Sequence, residues 1–336
     1  MSYVSFSGQT LDDLMRSIIG EILDSGQRIV ATKGSMRELF SVMLELKNPR
    51  ARLSRTETRG KPFSCLGELC WYLAGTDDIN YITYYLHDYE DYREGDVVYA
   101  AYGPRIFNWN GIDQFATVAS LLMKKNTSRQ AVIQIFDARD IVDYHAHVPC
   151  TCTIQFSIRE GALNAFTSMR SNDISLGFPH DVFAFTMLQE ILAHILGVDL
   201  GTYKHAVGSL HLYDRDEPLA RQFLDEGWQS TTVMPAMPTG DPWPAIDLLL
   251  RAEAAIRMEG VLSADDSEDL DPYWADLIRL LEVYRCSKDT NPNGIEAIRE
   301  RMVSDVYRIF IEKRLADVRP REGSSNPPVA KQRFRH

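Results

Sequence analysis

The eight residues from His145 to Cys152, HAHVPCTC, hold two histidines and two cysteines. Side chains of these types can bind zinc, whose preferred ligands are imidazole and thiolate. They can also be small buried side chains of a strand, or one thiol can serve as a nucleophile. Zinc is poorly supported. Cys-x-Cys is tighter than the usual gap of about two to four residues, and no second Cys/His cluster closes a four-ligand site. No metal is therefore expected. Cys152 suits the buried reading. Cys150 differs, because it follows Pro149 and opens a strand, at the edge where a loop meets a sheet. A thiol placed there has partial access, and Arg129 and Arg170 are candidate positive charges to favour its thiolate. A carboxylate adds to the pattern: Glu68 sits among Leu66, Leu69, Trp71 and Leu73. It either faces water or is buried for a purpose, because burying an unpaired carboxylate is costly.

Elements must position these groups. Thr10 to Gly26 reads as an amphipathic helix with Leu11, Leu14, Ile18 and Ile22 as its apolar stripe, Thr10 and Asp13 as its N-terminal cap, and Gly26 as its stop. Phe63 to Gly75 reads as the helix that carries Glu68. Ala131 to Phe136 is a short strand. Thr151 to Ile158 alternates, with Cys152, Ile154, Phe156 and Ile158 on one face. Arg-Glu-Gly then makes a turn, and Ala162 to Arg170 returns. Val182 to Leu196 is a strongly apolar helix ending at Gly197. Gly227 to Pro244 is a connection rich in turn residues. Helical patterns follow near Ala245 to Gly260, Trp274 to Tyr284 and Ile295 to Leu315. Strands mixed with long helices mean α+β or α/β.

The chain has 336 residues, 45% hydrophobic and 25% charged, which suits a globular protein with a sizeable core. No apolar run is long enough to span a bilayer, and the start MSYVSFSGQTLDD lacks the pattern of a signal peptide. A cytoplasmic location without membrane association is the expectation. Five scattered cysteines are not a disulfide framework. A net charge of −11 argues against nucleic acid as a partner, though locally gathered arginines can still bind a small anion. The residues 319–336 are basic and rich in Pro and Ser, a composition expected to be disordered.

Three stretches in order, VPCTCTIQF, MRSNDISLGFPHDVFAFTMLQEILA and GSLHLYDRD, resemble the pyrimidine-site core of the thymidylate synthase family. Upstream, LGELCWYLAGTDDINYI resembles that family's glutamate-bearing helix. The resemblance covers about Phe63 to Asp216, is loose toward the N-terminus and stops after about Pro235. It implies an α+β fold on a mixed β-sheet with flanking helices and a homodimer formed through that sheet; the helical patterns beyond it read as a C-terminal helical extension. The domain reading is one catalytic domain over 1–318, with its core at 63–216 and a helical part at 245–315.

The resemblance also implies roles. Cys150 would add to C6 of the pyrimidine, making C5 a carbon nucleophile toward 5,10-methylenetetrahydrofolate, the cosubstrate. Glu68 would manage proton transfers through water. Arg170 and Ser171 would bind the nucleotide's phosphate, and Arg129 would reach the phosphate in the partner's active site, its fork matching two phosphate oxygens. The family usually has two consecutive arginines there; here Gln130 follows Arg129. A further basic residue normally comes from an N-terminal loop, for which Lys33 and Arg37 are candidates. His211 and Tyr213 match the pair that holds the sugar hydroxyl. Asp173 matches an aspartate near base and folate, and Tyr102 a tyrosine of the active-site water network.

One departure bears on the substrate. The family's uracil reader is the asparagine of Leu-Gly-x-Pro-x-Asn, but here LGFPHD puts Asp181 in its place. Uracil offers an N3–H donor and an O4 acceptor, and one amide answers both. An ionised carboxylate facing O4 has no proton to give, whereas it accepts from cytosine's amino group. A mismatched polar site discriminates by roughly four orders of magnitude. Asp181 therefore joins Cys150 and Glu68 in the expected catalytic set and points to CMP or dCMP, as in the cytidylate hydroxymethylases. Asp181 is also a candidate N-cap for the Val182 helix. Two further departures suit water entry and hence hydroxymethylation: Tyr89 and Tyr92 stand where the family has Trp-x-x-Trp, and its closing C-terminal segment is not recognisable. The alternatives are a synthase methylating dUMP and a non-catalytic nucleotide- or RNA-binding relative. The last would need neither the thiol nor the carboxylate. Ribose and deoxyribose both remain open.

Overall fold

The structure is a computed structural model that describes residues 4–56, 61–260 and 270–319. Strand β1 (Val4–Gly8) leads into helix α1 (Leu11–Ser25), followed by β2 (Gln27–Ala31) and β3 (Gly34–Leu46). A helical stretch holds α2 (Pro62–Leu73), α3 (Ile79–Tyr85), the two-residue strands β4 (Arg93–Glu94) and β5 (Val97–Val98), α4 (Tyr102–Phe107) and α5 (Gln114–Lys124). Then come β6 (Val132–Gln134), β7 (Thr151–Arg159), β8 (Ala162–Asp173), α6 (Gly177–Leu196), β9 (Asp199–Tyr213) and α7 (Glu217–Asp225). Four helices close the described chain: α8 (Trp243–Met258), α9 (Pro272–Lys288), α10 (Pro292–Arg301) and α11 (Arg308–Val318). The fold is α+β, as expected, around one mixed sheet in the order β1-β3-β9-β8-β7-β6, with β2 also paired to β3.

Local chemistry explains the first helix. Thr10 accepts from the Asp13 N–H and Asp13 from the Thr10 N–H, a reciprocal cap. Leu11, Leu14, Ile18 and Ile22 are all buried against the sheet. Gly26 ends the helix with ordinary extended angles, so its service is space: a Cβ there would lie 2.4 Å from the Ile22 carbonyl oxygen. The turn between β7 and β8 has Glu160 at φ 52° and Gly161 at φ 80°, the left-handed pair that a tight two-residue hairpin needs.

The topology gathers chemistry at one end of the sheet. β7 runs antiparallel to β8, and the Arg170 N–H donates to the Cys150 carbonyl at 2.9 Å. β8 and β9 run parallel, with Ser171 opposite Ser209 and Asp173 opposite His211. β3 runs antiparallel to β9 and starts opposite its end, Met36 facing Tyr213. Cys150, Arg170 to Asp173, His211 to Tyr213 and the Lys33 turn therefore share one edge of four adjacent strands. α6 packs on β8 and β9, α2 packs on α6, and α8 and α9 pack on α2.

Four local expectations need correction. Cys152 is only half-buried while Thr151 is wholly buried, because a bulge between Thr151 and Thr153 shifts the alternation there, and Ile158, beside the hairpin turn, is half-buried too. The Ala131 to Phe136 strand keeps regular register only over Val132–Gln134; at its ends the Phe156 N–H still donates to the Ala131 carbonyl, and the Ile135 and Phe136 N–H groups converge on the Cys152 carbonyl. Asp181 is not the cap of its helix, since α6 already starts at Gly177. The Ile295 to Leu315 pattern is two helices. Buried Asp276 accepts from the Val303 and Ser304 N–H groups at 3.0 and 2.8 Å, which draws the backbone out of the helix between α10 and α11. The expected tail lies, apart from Arg319, outside the described residues. Among the described residues no helix is long and apolar enough to cross a membrane.

Candidate active site

Cys150 sits half-buried just before β7. The Arg170 guanidinium donates to the Pro149 and Val148 carbonyls, both at 2.9 Å, and its Nη2 lies 3.6 Å from the Cys150 Sγ. Those two carbonyl bonds fix the fork beside the sulfur. Burial pushes the Cys150 thiol up, and Arg170 and Lys33 pull it back toward the thiolate. His147 Nε2 is 4.0 Å from the same sulfur. Burial, with Lys33 and Arg170 nearby, holds that imidazole down at about 3. So low a base does not keep a proton taken from a thiol. The permanent charge of Arg170, rather than an imidazolium, is the thiolate's stabiliser.

Lys33 closes this side. Its ammonium donates to the Tyr92 hydroxyl, and Tyr92 stacks on His147 with ring centres 4.2 Å apart. Burial lowers the lysine, while Cys150, Asp91 and Asp173 act to hold its charge. Arg37, the other candidate, is drawn toward Glu217 at 3.7 Å. The histidines of HAHVPCTC diverge: His145 pairs with Glu94 at 3.1 Å and stacks on Tyr99. Among the described residues no group of three or more His, Cys, Asp or Glu is arranged to hold a metal ion.

Glu68 is buried in the middle of α2, not on a wet face. It accepts from the Tyr89 hydroxyl at 2.5 Å and the Tyr72 hydroxyl at 3.1 Å. Burial keeps both phenols far above their ordinary range, so both remain donors. Two charge-assisted hydrogen bonds of this kind contribute about 1.5–3 kcal/mol each, which offsets the cost of burying the carboxylate. Tyr102, at the start of α4, accepts from the Thr151 N–H at 3.1 Å and ties the glutamate's neighbourhood to the strand that follows Cys150.

Asp181, in α6, is buried near Glu68. His180 anchors this end of α6 to α2: its Nε2 meets the Ser64 hydroxyl at 3.0 Å and its Nδ1 the Leu176 carbonyl at 2.8 Å. Burial first, then Glu68, push the Asp181 carboxyl well up, and a bond from Asn172 Nδ2 at 3.1 Å opposes that. Asp173 accepts from the Ser175 N–H at 2.7 Å. His211 and Tyr213 are buried neighbours on β9, with ring centres 4.9 Å apart. Ser171 is half-buried on β8 beside them. Thus Cys150, Arg170, Ser171, Asp173, His211, Tyr213, Lys33, Tyr102, Glu68 and Asp181 are brought to one end of the sheet and the helices above it. Arg129 is not. It lies on the exposed approach to β6, and among the described residues no hydrogen bond, ion pair or ring contact joins its side chain to the cluster.

Several members of the cluster were missed in the sequence. Asn172 stands between Ser171 and Asp173, both of which the resemblance assigns. His147 carries no sign of its place beside Cys150 other than proximity in sequence. Tyr72 carried a signal that spacing alone holds, four residues after Glu68 on one helix face. His205 carried none.

A family model described as thymidylate synthase matches residues 10–237, about two thirds of the chain. The match ends where the sequence resemblance ended, and begins well before it. A curated relative, the deoxyuridylate hydroxymethyltransferase of Bacillus phage SP01, is 29% identical over 224 residues, 62% of this chain and 58% of its own length. The chain thus spans somewhat over half of that relative. The fold, the mixed sheet and the family match agree: the chain belongs to the thymidylate synthase family.

Proposed function

We propose that this protein transfers a one-carbon unit from 5,10-methylenetetrahydrofolate to C5 of a pyrimidine nucleoside monophosphate, and that the product is the 5-hydroxymethyl derivative of CMP or dCMP. The observation that carries the choice of base is Asp181, a buried carboxyl in the place of the family's uracil-reading amide. A carboxyl accepts from the exocyclic amino group of cytosine. With a shared proton it also answers N3. The hydroxymethyl half is supported by the relative's name, although that relative is named for deoxyuridylate.

In this reading the Cys150 thiolate adds to C6, and C5 then bonds to the methylene carbon. C5 gives up its proton through water held near Glu68, and the folate amine leaves. Water adds to the exocyclic methylene, and Cys150 departs from C6. Arg170, Ser171 and Lys33 hold the phosphate, His211 and Tyr213 the sugar, Asp173 the base and folate side, and Tyr102 the water beside Cys150. The glutamate's two phenol partners leave a hydroxyl, that of Tyr89, where the family has tryptophan. That polar group favours an ordered water.

Arg129 would serve a second copy of the chain. Among the described residues no helix packs on the sheet face away from α1 and α6, and Phe40 there is 65% exposed. A dimer through this face would carry Arg129 toward the partner's phosphate. The one-domain reading of 1–318 is supported by the packing of α8 and α9 on α2.

The test is tritium release from 5-tritiated CMP, dCMP and dUMP with methylenetetrahydrofolate, with absorbance followed for dihydrofolate. Release from a cytidine nucleotide without dihydrofolate is the expected result and names the sugar. Release from dUMP with dihydrofolate would make the protein a methylating synthase.

A further inference from the structure

Asp181 belongs to a line of buried polar side chains that the reading above does not use. Asn172 Nδ2 lies 3.1 Å from Asp181 Oδ2, 3.2 Å from His205 Nε2 and 3.0 Å from the weaker acceptor Met169 Sδ, and His205 Nδ1 lies 2.8 Å from the Tyr203 hydroxyl. Asn172 is 3% exposed, and His205 and Tyr203 are 1% exposed. The Asn172 Oδ1 is buried without a hydrogen-bond partner among the described residues. The amide is thus oriented by what its nitrogen touches. An amide nitrogen only donates, so His205 Nε2 accepts and the ring proton sits on Nδ1, donated to Tyr203. Burial holds this imidazole neutral, at about 3. An accepting Nε2 keeps the Asn172 nitrogen, rather than its oxygen, turned to Asp181.

A carboxylic acid whose proton can sit on either oxygen presents donor–acceptor in both orders. Cytosine asks for one order across N3 and its exocyclic group, and uracil for the reverse. Such an acid pairs with both bases and reads neither. Here Oδ2 already accepts from Asn172, so a proton on Asp181 belongs on Oδ1.

We propose that Asn172 and His205 are positioning residues for base selection: by committing Asp181 Oδ2 to acceptance they turn a reversible carboxyl into a one-way reader of the pyrimidine edge. The proposal rests on Asp181 facing the base, as in the function proposed above, but not on the outcome of the catalysis.

Equilibrium binding tests it without turnover. Calorimetric Kd values for dCMP and dUMP would be measured on the full chain and on Asn172→Leu, His205→Leu and His205→Gln. The ratio of the two Kd values is expected to move toward unity by roughly tenfold in both leucine variants, the size of one lost orienting contact. His205→Gln, whose side-chain oxygen can still accept from Asn172, should restore most of the preference. Two leucine variants are used so that one failing to fold does not decide the matter. Equal weakening of both nucleotides, or an unchanged ratio, would overturn the proposal, and so would a wild-type chain that prefers neither base. A wild type that prefers dUMP, with the preference lost in the leucine variants, would sink the cytidylate reading and leave the positioning role standing.

Discussion

The Cys150 sulfur is governed by opposed effects of similar kind. Burial raises its pKa and the Arg170 guanidinium 3.6 Å away lowers it, with Lys33 adding to the lowering. Removing Arg170 takes away the larger of the two charges that oppose burial. We expect iodoacetamide to alkylate wild-type Cys150 with a pH midpoint above that of a free cysteine. Arg170→Gln should raise the midpoint further and slow the reaction at neutral pH about tenfold, one pKa unit; equal rates in the two proteins would remove Arg170 from this role. Asp181 yields a stability prediction. Its folded pKa lies above the ordinary 3.8, so the folded state holds the proton more tightly than the unfolded one. Below that ordinary value both states are protonated and the group is neutral to stability. As pH rises above it, the carboxyl costs stability progressively. Asp181→Asn should therefore stabilise the fold at pH 7 by about 1–3 kcal/mol. Urea unfolding between pH 5 and 8 checks this: the gain must grow with pH, and a constant or shrinking gain contradicts it. The same variant should shift base preference toward dUMP by roughly a hundredfold or more.

At the scale of elements, α2 is the hinge between site and extension. Gly67, next to Glu68, lies against the Tyr85 ring of α3, and a Cβ there would be 2.3 Å from it. Tyr85 in turn donates to buried Glu253 of α8 at 2.8 Å, while the Tyr284 hydroxyl of α9 donates to the Tyr84 and Tyr85 carbonyls. A methyl at residue 67 cannot be absorbed by one flexible side chain. It must push Tyr85 and, through it, the two helices. Gly67→Ala is expected to cost about 1–3 kcal/mol by overpacking. It should also lower turnover more than nucleotide binding, because the displaced helix carries Glu68 and not the phosphate-side residues. Chemical denaturation and a comparison of kcat with dCMP affinity separate the two effects.

For the whole molecule, the separation of Arg129 from the cluster leads to an assembly test. Arg129→Ala and Cys150→Ala chains should each be inactive alone. Mixed after partial denaturation and refolded together, they should recover about a quarter of wild-type activity, since half the dimers are mixed and one of their two sites is intact. No recovery would mean that each site is complete within its own chain. The C-terminal helices enter at this scale too. They begin after the family match ends at 237, yet they pack on the helix that holds Glu68.

Much of this is legible in the sequence. The Thr10–Asp13 cap, the Leu11 to Ile22 stripe, the Glu160-Gly161 turn and Cys150 at a strand's opening are local patterns, settled by neighbours a few residues apart. The order of the motifs implied the family, and with it the partnership of Cys150, Arg170 and Glu68. Other features were decided by the tertiary structure alone. The contrast between Lys33, on Tyr92 at the site, and Arg37, drawn toward Glu217, depends on partners remote in sequence. The start of α6 at Gly177 overrode a good capping residue at Asp181, which is engaged by Asn172 from β8. Asn172 met His205 only because β8 and β9 run side by side. Periodicity and capping act through the chain's own neighbours and can be read along it. A buried polar group must find its partner across space, so its role appears only once the strands are in register.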